Sequence, residues 1–81
     1  MVYSIVFEKI TDASFPSGYY YAHVPALDLT THGVGIEGAR EAARDLITVW
    51  LEEKRANGEP VPIEGETLYS KIEIADAIHS S

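Results

Sequence analysis

Apolar and other residues nearly alternate from residue 2 to residue 9, with Tyr3, Ile5 and Phe7 on one side and Ser4 and Glu8 on the other. A period of two predicts a β-strand. Residues 11–18 collect turn formers, Thr11-Asp12-Ala13-Ser14-Phe15-Pro16-Ser17-Gly18, and predict a long hairpin connection. Residues 19–24 are aromatic and β-branched and stop at Pro25, which cannot donate to a ladder. They form the expected second strand, antiparallel to the first. A third, weaker strand is expected over residues 27–32, ending before Gly33 and Gly35. The period then changes. Ile36, Ala39, Ala42, Ala43, Leu46, Ile47, Val49, Trp50 and Leu51 recur as the i, i+3, i+4 stripe that predicts an amphipathic helix over residues 36–56. Such a helix is about 30 Å long at about 1.5 Å per residue. Asn57-Gly58 supplies its stop, and Pro60 and Pro62 prevent resumption. Beyond a connector, residues 68–75 alternate again, with Leu68, Ser70, Ile72 and Ile74 against Tyr69, Lys71 and Glu73. They predict a fourth strand, and residues 76–81 are too few to add another element.

The expected order is βββαβ: an α+β, two-layer single domain with one long helix on one sheet face. Three strands in a meander, followed by a right-handed crossover through the helix, place the fourth strand parallel to the first and give the sheet order 3-2-1-4. The opposite face is left open. By alternation it carries Tyr19, Tyr21 and His23 from the second strand and Tyr69 with Lys71 from the fourth. Tyrosines join broad apolar area to a polar tip and concentrate at protein interfaces. Tyr19, Tyr21, His23 and Tyr69 are therefore the candidate partner contacts, weighed evenly against an ordinary half-wet sheet surface.

Composition narrows the choice of partner. The 81 residues contain 13 acids, six Lys and Arg, and no cysteine, for a formal charge of −7. A domain of this size has little core to spare and here has no disulfide or thiolate metal site to stabilise it. The charge has the wrong sign for phosphate-rich partners, so direct nucleic-acid binding is not expected, and it favours encounter with a basic protein. No segment has the run of about 18 apolar residues that a membrane span needs. Met1 to Glu8 contains no basic region of the kind that opens a signal peptide, so a cytoplasmic location is expected.

Catalytic chemistry finds little support in the sequence. His23, His32 and His79 show no metal-ligand spacing. Gly33-Val34-Gly35 is too short for a phosphate loop and precedes an acid, Glu37. No Gly-x-Ser-x-Gly turn surrounds any serine. A βββαβ order invites comparison with ribonuclease H-like nucleases, but Glu37, Glu41 and Asp45 interleave with Arg40 and Arg44 as surface charge pairs, leaving only Glu73 on the fourth strand. The expectation is a non-enzymatic chain without cofactor or metal.

The stretch Gly18-Tyr19-Tyr20-Tyr21-Ala22-His23-Val24-Pro25-Ala26-Leu27, then Thr31-His32-Gly33 leading into an Ala- and Glu-rich helix, then Gly58-Glu59-Pro60-Val61-Pro62, resembles the HicB-like antitoxin family over nearly the whole chain. The resemblance implies a partial ribonuclease H-like fold without nuclease residues. It further implies neutralisation by direct binding of a basic, RNA-cleaving HicA-type toxin, with homo-oligomerisation expected. Family members commonly append a DNA-binding domain, and the sequence here shows none, as in a solitary form. The alternative is an orphan module of the same fold that self-associates or binds a small ligand without a toxin partner.

Overall fold

A computed structural model describes residues 1–75; residues 76–81, with His79, lie outside the described residues. The chain runs β1 (Val6–Lys9), β2 (Tyr19–Val24), a 3-10 turn (Pro25–Leu27), β3 (Leu29–Val34) and α1 (Gly35–Ala56). The strands form an antiparallel meander in the order β1-β2-β3, and α1 covers one face. This is the expected α+β, two-layer arrangement.

Alternation decides what enters the core. Ala22 and Val24 of β2 are fully buried against Ala39 and Ala43 of α1 and Leu27 of the turn. Tyr3, Ile5, Phe7, Tyr20, Leu29, Ile47 and Trp50 pack around them, so the predicted inward faces of the first two strands are those observed, and the helix stripe is observed except at Ile36 and Val49, which are exposed. Small alanines on the buried helix face bring α1 close to the sheet. The closest approach is at Gly33 in β3, where an added Cβ would come to 2.6 Å from the Ala39 amide nitrogen and nearer still to the Gly38 carbonyl carbon. Only glycine fits there.

Two strand boundaries differ from expectation, for one reason. Pro25 opens a 3-10 turn in which the Asp28 amide donates to the Pro25 carbonyl, and Asp28 takes a left-handed conformation at φ 53°. The turn carries Leu27 into the core and delays β3 to Leu29–Val34, two residues later than the 27–32 expected. It also interrupts the ladder beyond Val6, since Val6 pairs with His23 and the next hydrogen-bonded pair outward, two residues along each strand, would set Ser4 against Pro25, which has no N–H to donate. β1 is thereby limited to four residues.

The helix ends where Asn57-Gly58 predicts. Gly58 adopts φ 68°, its amide donates to the Arg55 carbonyl, and the Glu59 amide donates to the Lys54 carbonyl, which together form a Schellman motif. Lys54 Nζ closes the end on Glu59 Oε2 at 2.9 Å and lies 5.1 Å from the Trp50 ring centre.

The fourth strand expected over residues 68–75 is not formed. No ladder joins these residues to β1, and Leu68, Ile72 and Ile74 are 85%, 83% and 72% exposed. The reason lies at the root of the segment. The Tyr3 hydroxyl donates to the Pro62 carbonyl, the Ser4 amide donates to Glu64 Oε1 at 2.7 Å, and the Ser4 hydroxyl donates to Glu64 Oε2. Glu64 thus supplies the acceptor that the chain turning at Pro25 withdraws from Ser4. The segment is held by side chains at the end of the sheet rather than zipped along its edge. The sheet order 3-2-1-4 therefore reduces to 3-2-1 among the described residues.

Candidate protein-binding face

The open face of the sheet is built from alternate residues of all three strands. β2 presents Tyr19, Tyr21 and His23; across the ladder these stand opposite Val34, His32 and Thr30 of β3, while Tyr21 and His23 oppose Glu8 and Val6 of β1. Three of the four predicted contact residues therefore lie in one row. Tyr69 does not join them. It lies in the C-terminal segment, 56% exposed, where with Ile5, Val6, Ser70 and Lys71 it borders a groove of about 390 Å³.

Two residues not predicted as contacts complete the face. Phe15 reaches over it from the β1–β2 connection, with its ring centre 5.8 Å from that of Tyr19, 6.0 Å from Tyr21 and 5.1 Å from His32, the last two edge-on. His32 in turn lies 6.1 Å from Tyr19. These separations and tilts are those aromatic quadrupoles favour. The connection is ordered locally: Asp12 Oδ1 accepts the Ser14 amide at 2.9 Å, the Asp12 carbonyl accepts the Phe15 amide, and the Ile10 amide donates to the Tyr19 carbonyl. The Ser14 amide bond, helped by the Ser14 side chain, holds the Asp12 carboxyl below its ordinary value. The only signal for Phe15 in the sequence is that it is the one large apolar residue among turn formers, which alone does not aim it at a face.

Polar groups tie the other end together. His23 Nδ1 lies 3.0 Å from Thr30 Oγ1 directly across the ladder, and His23 Nε2 lies 2.9 Å from Glu8 Oε1 on the diagonal. A carboxylate does therefore stand beside His23, although the sequence pointed to none. Strand parity was the available signal, since Glu8 and His23 share the outer face. Carboxylate, imidazole and hydroxyl in this order resemble a nucleophile relay. Grooves of about 410, 390, 360 and 280 Å³ lie elsewhere on the molecule, lined by other residues. The simpler consequence is mechanical: one side chain on β2 pins β1 and β3.

The carboxylates weighed as nuclease ligands are dispersed. Glu37, Glu41 and Asp45 are exposed on α1, with Glu41 3.8 Å from Arg44 Nε. Among the described residues no three His, Cys, Asp or Glu side chains are grouped to hold a metal ion. No helix among them is long and apolar enough to cross a membrane. Against known protein families, curated proteins and solved structures, the chain finds no match.

Proposed function

We propose that this chain is a non-enzymatic protein-binding module of the HicB-like antitoxin kind, acting in the cytoplasm to neutralise a basic, RNA-cleaving HicA-type toxin by direct binding. The observation that carries the reading is the aromatic face: Phe15, Tyr19, Tyr21, His23 and His32 gathered on one side of a sheet whose other side is covered by α1. Flat, tyrosine-rich surfaces suit another protein better than a small substrate, which needs an enclosed concavity. The charge of −7 supports a basic partner through long-range attraction. In this reading a fourth strand pairs with the free edge of β1 and completes the partial ribonuclease H-like sheet, 3-2-1-4.

Co-expression with the protein encoded beside it tests the proposal. The expected result is a stable complex and rescue of growth. Phe15→Ala and Tyr21→Ala are each expected to weaken the complex by at least about 2 kcal/mol, roughly 30-fold, the range of aromatic hot spots. No complex and no rescue would sink the toxin reading.

A further inference from the structure

Among the strand residues of the open face Glu8 is the only acid, and it stands beside a tyrosine. Glu8 pairs with Tyr21 across the ladder, which puts their Cβ atoms about 5 Å apart. His23 brings the two groups together. Its Nε2 lies 2.9 Å from Glu8 Oε1, its Nδ1 3.0 Å from Thr30 Oγ1, and its ring centre 5.7 Å from that of Tyr21. The imidazole thus fixes the carboxylate by one oxygen next to the Tyr21 ring. Glu8 Oε2 takes no hydrogen bond among the described residues, and the Glu8 side chain is 64% exposed. None of the chain's own cations answers it. On α1, Arg40 lies over Phe7, Arg44 beside Glu41, Lys54 on Glu59 and Arg55 beside Met1. Lys9 has the inward parity of Phe7, and Lys71 borders the groove at Ile5 and Val6 without pairing with Glu8.

We propose that Glu8 and Tyr21 form a docking site for one arginine side chain of a basic protein, the guanidinium lying over the Tyr21 ring and donating an N–H to Glu8 Oε2. The site rests on reading the aromatic face as protein-binding, and it names what that face recognises. An aromatic ring and a carboxylate side by side offer a cation two attractions at once, one through the ring quadrupole and one through a charge-assisted hydrogen bond. Arginine uses both together. Its guanidinium is planar and weakly hydrated, so it can lie on a ring while its N–H groups point sideways to an acceptor, whereas the compact ammonium of lysine holds its water more strongly. His23 is the positioning residue. With Nε2–H donating to Oε1 and Nδ1 accepting the Thr30 hydroxyl, it keeps the carboxylate beside the ring and leaves Oε2 for the partner. The net charge of −7 draws a basic partner toward the molecule, and the pair on this face gives one of its cations a specific seat.

NMR titration of the full chain with a tri-arginine peptide, in about 0.15 M salt to screen unspecific attraction, tests the site. Saturable shifts are expected at the Glu8 and Tyr21 amides and the His23 ring protons, and a tri-lysine peptide of equal charge is expected to bind at least about threefold more weakly. Glu8→Gln and Tyr21→Leu are each expected to weaken the arginine peptide at least about threefold. Glu52→Gln, which removes the same charge from the exposed surface of α1, is expected to leave its affinity nearly unchanged. Shifts spread over the acids of α1, equal binding of the lysine peptide, or a Glu8→Gln effect no larger than that of Glu52→Gln would each overturn the site. The peptides need no neighbouring protein. A chain that selects arginine but forms no toxin complex sinks the toxin reading alone, and a toxin complex without arginine selection at Glu8 sinks this site alone.

Discussion

Gly33 and Gly38 face each other across the strand–helix contact, yet they answer to different forces. A side chain at Gly33 would run into the backbone of Gly38 and Ala39, which cannot yield without lifting the helix from the sheet. Gly33→Ala is therefore expected to lower stability by at least about 1–3 kcal/mol in chemical denaturation, the range of overpacked cores. A Cβ at Gly38 would meet its nearest neighbour, the Gly33 carbonyl carbon, at 3.5 Å, an ordinary contact. Gly38→Ala is then governed by helix propensity and is expected to raise stability by up to about 1 kcal/mol. In the sequence Gly33 reads as the end of a strand and Gly38 lies two residues into the expected helix. Which one is sterically required depends on interaxial approach, and no local pattern encodes that distance.

The elements are held as much by their ends as by their lengths. At the helix C-terminus Gly58→Ala places a Cβ in the left-handed region and is expected to cost about 1 kcal/mol, readable as a lower melting temperature. At the start of the C-terminal segment the Ser4 hydroxyl, and then the Ser4 amide, hold the Glu64 carboxyl below its ordinary value. A carboxyl lowered on folding lends stability above its unfolded pKa and loses it as the pH falls through the folded one. The tether is thus expected to be complete near neutrality and to release in acid, below the ordinary glutamate range. Following the Ser4 amide by NMR through an acid titration checks this: its resonance should move with an apparent pKa below that of free glutamate. In Glu64→Gln, which has no proton to take up there, the acid transition should vanish.

At the scale of the whole molecule, charge governs encounter and the sheet face governs grip. With a basic partner, raising the salt concentration from about 0.05 to about 0.5 M is expected to slow association measured by stopped flow far more than it speeds dissociation, because added salt shortens the reach of unpaired surface charge. Phe15→Ala is expected to act in the opposite sense, accelerating dissociation and leaving association nearly unchanged. A mutant that changed both rates equally would place Phe15 outside the interface.

The sequence by itself determined the elements whose signals are local. The six residues of β2, the helix with its glycine stop, and the inward rows of Tyr3, Ile5 and Phe7 and of Ala22 and Val24 follow from periodicity and from the conformational limits of proline and glycine. Three of the four candidate contacts, Tyr19, Tyr21 and His23, were legible for the same reason, since strand parity assigns a face. Tertiary structure alone decided the rest. Phe15 and His32 joined the face through a loop and a register, Glu8 met His23 along a diagonal, and β3 moved two residues because Leu27 was drawn into the core. The alternation over residues 68–75 shows most clearly where a sequence stops. A period of two specifies a strand able to bury one face, but pairing also needs the backbone in register with an edge, and Ser4 and Tyr3 hold the root of that segment at the end of the sheet.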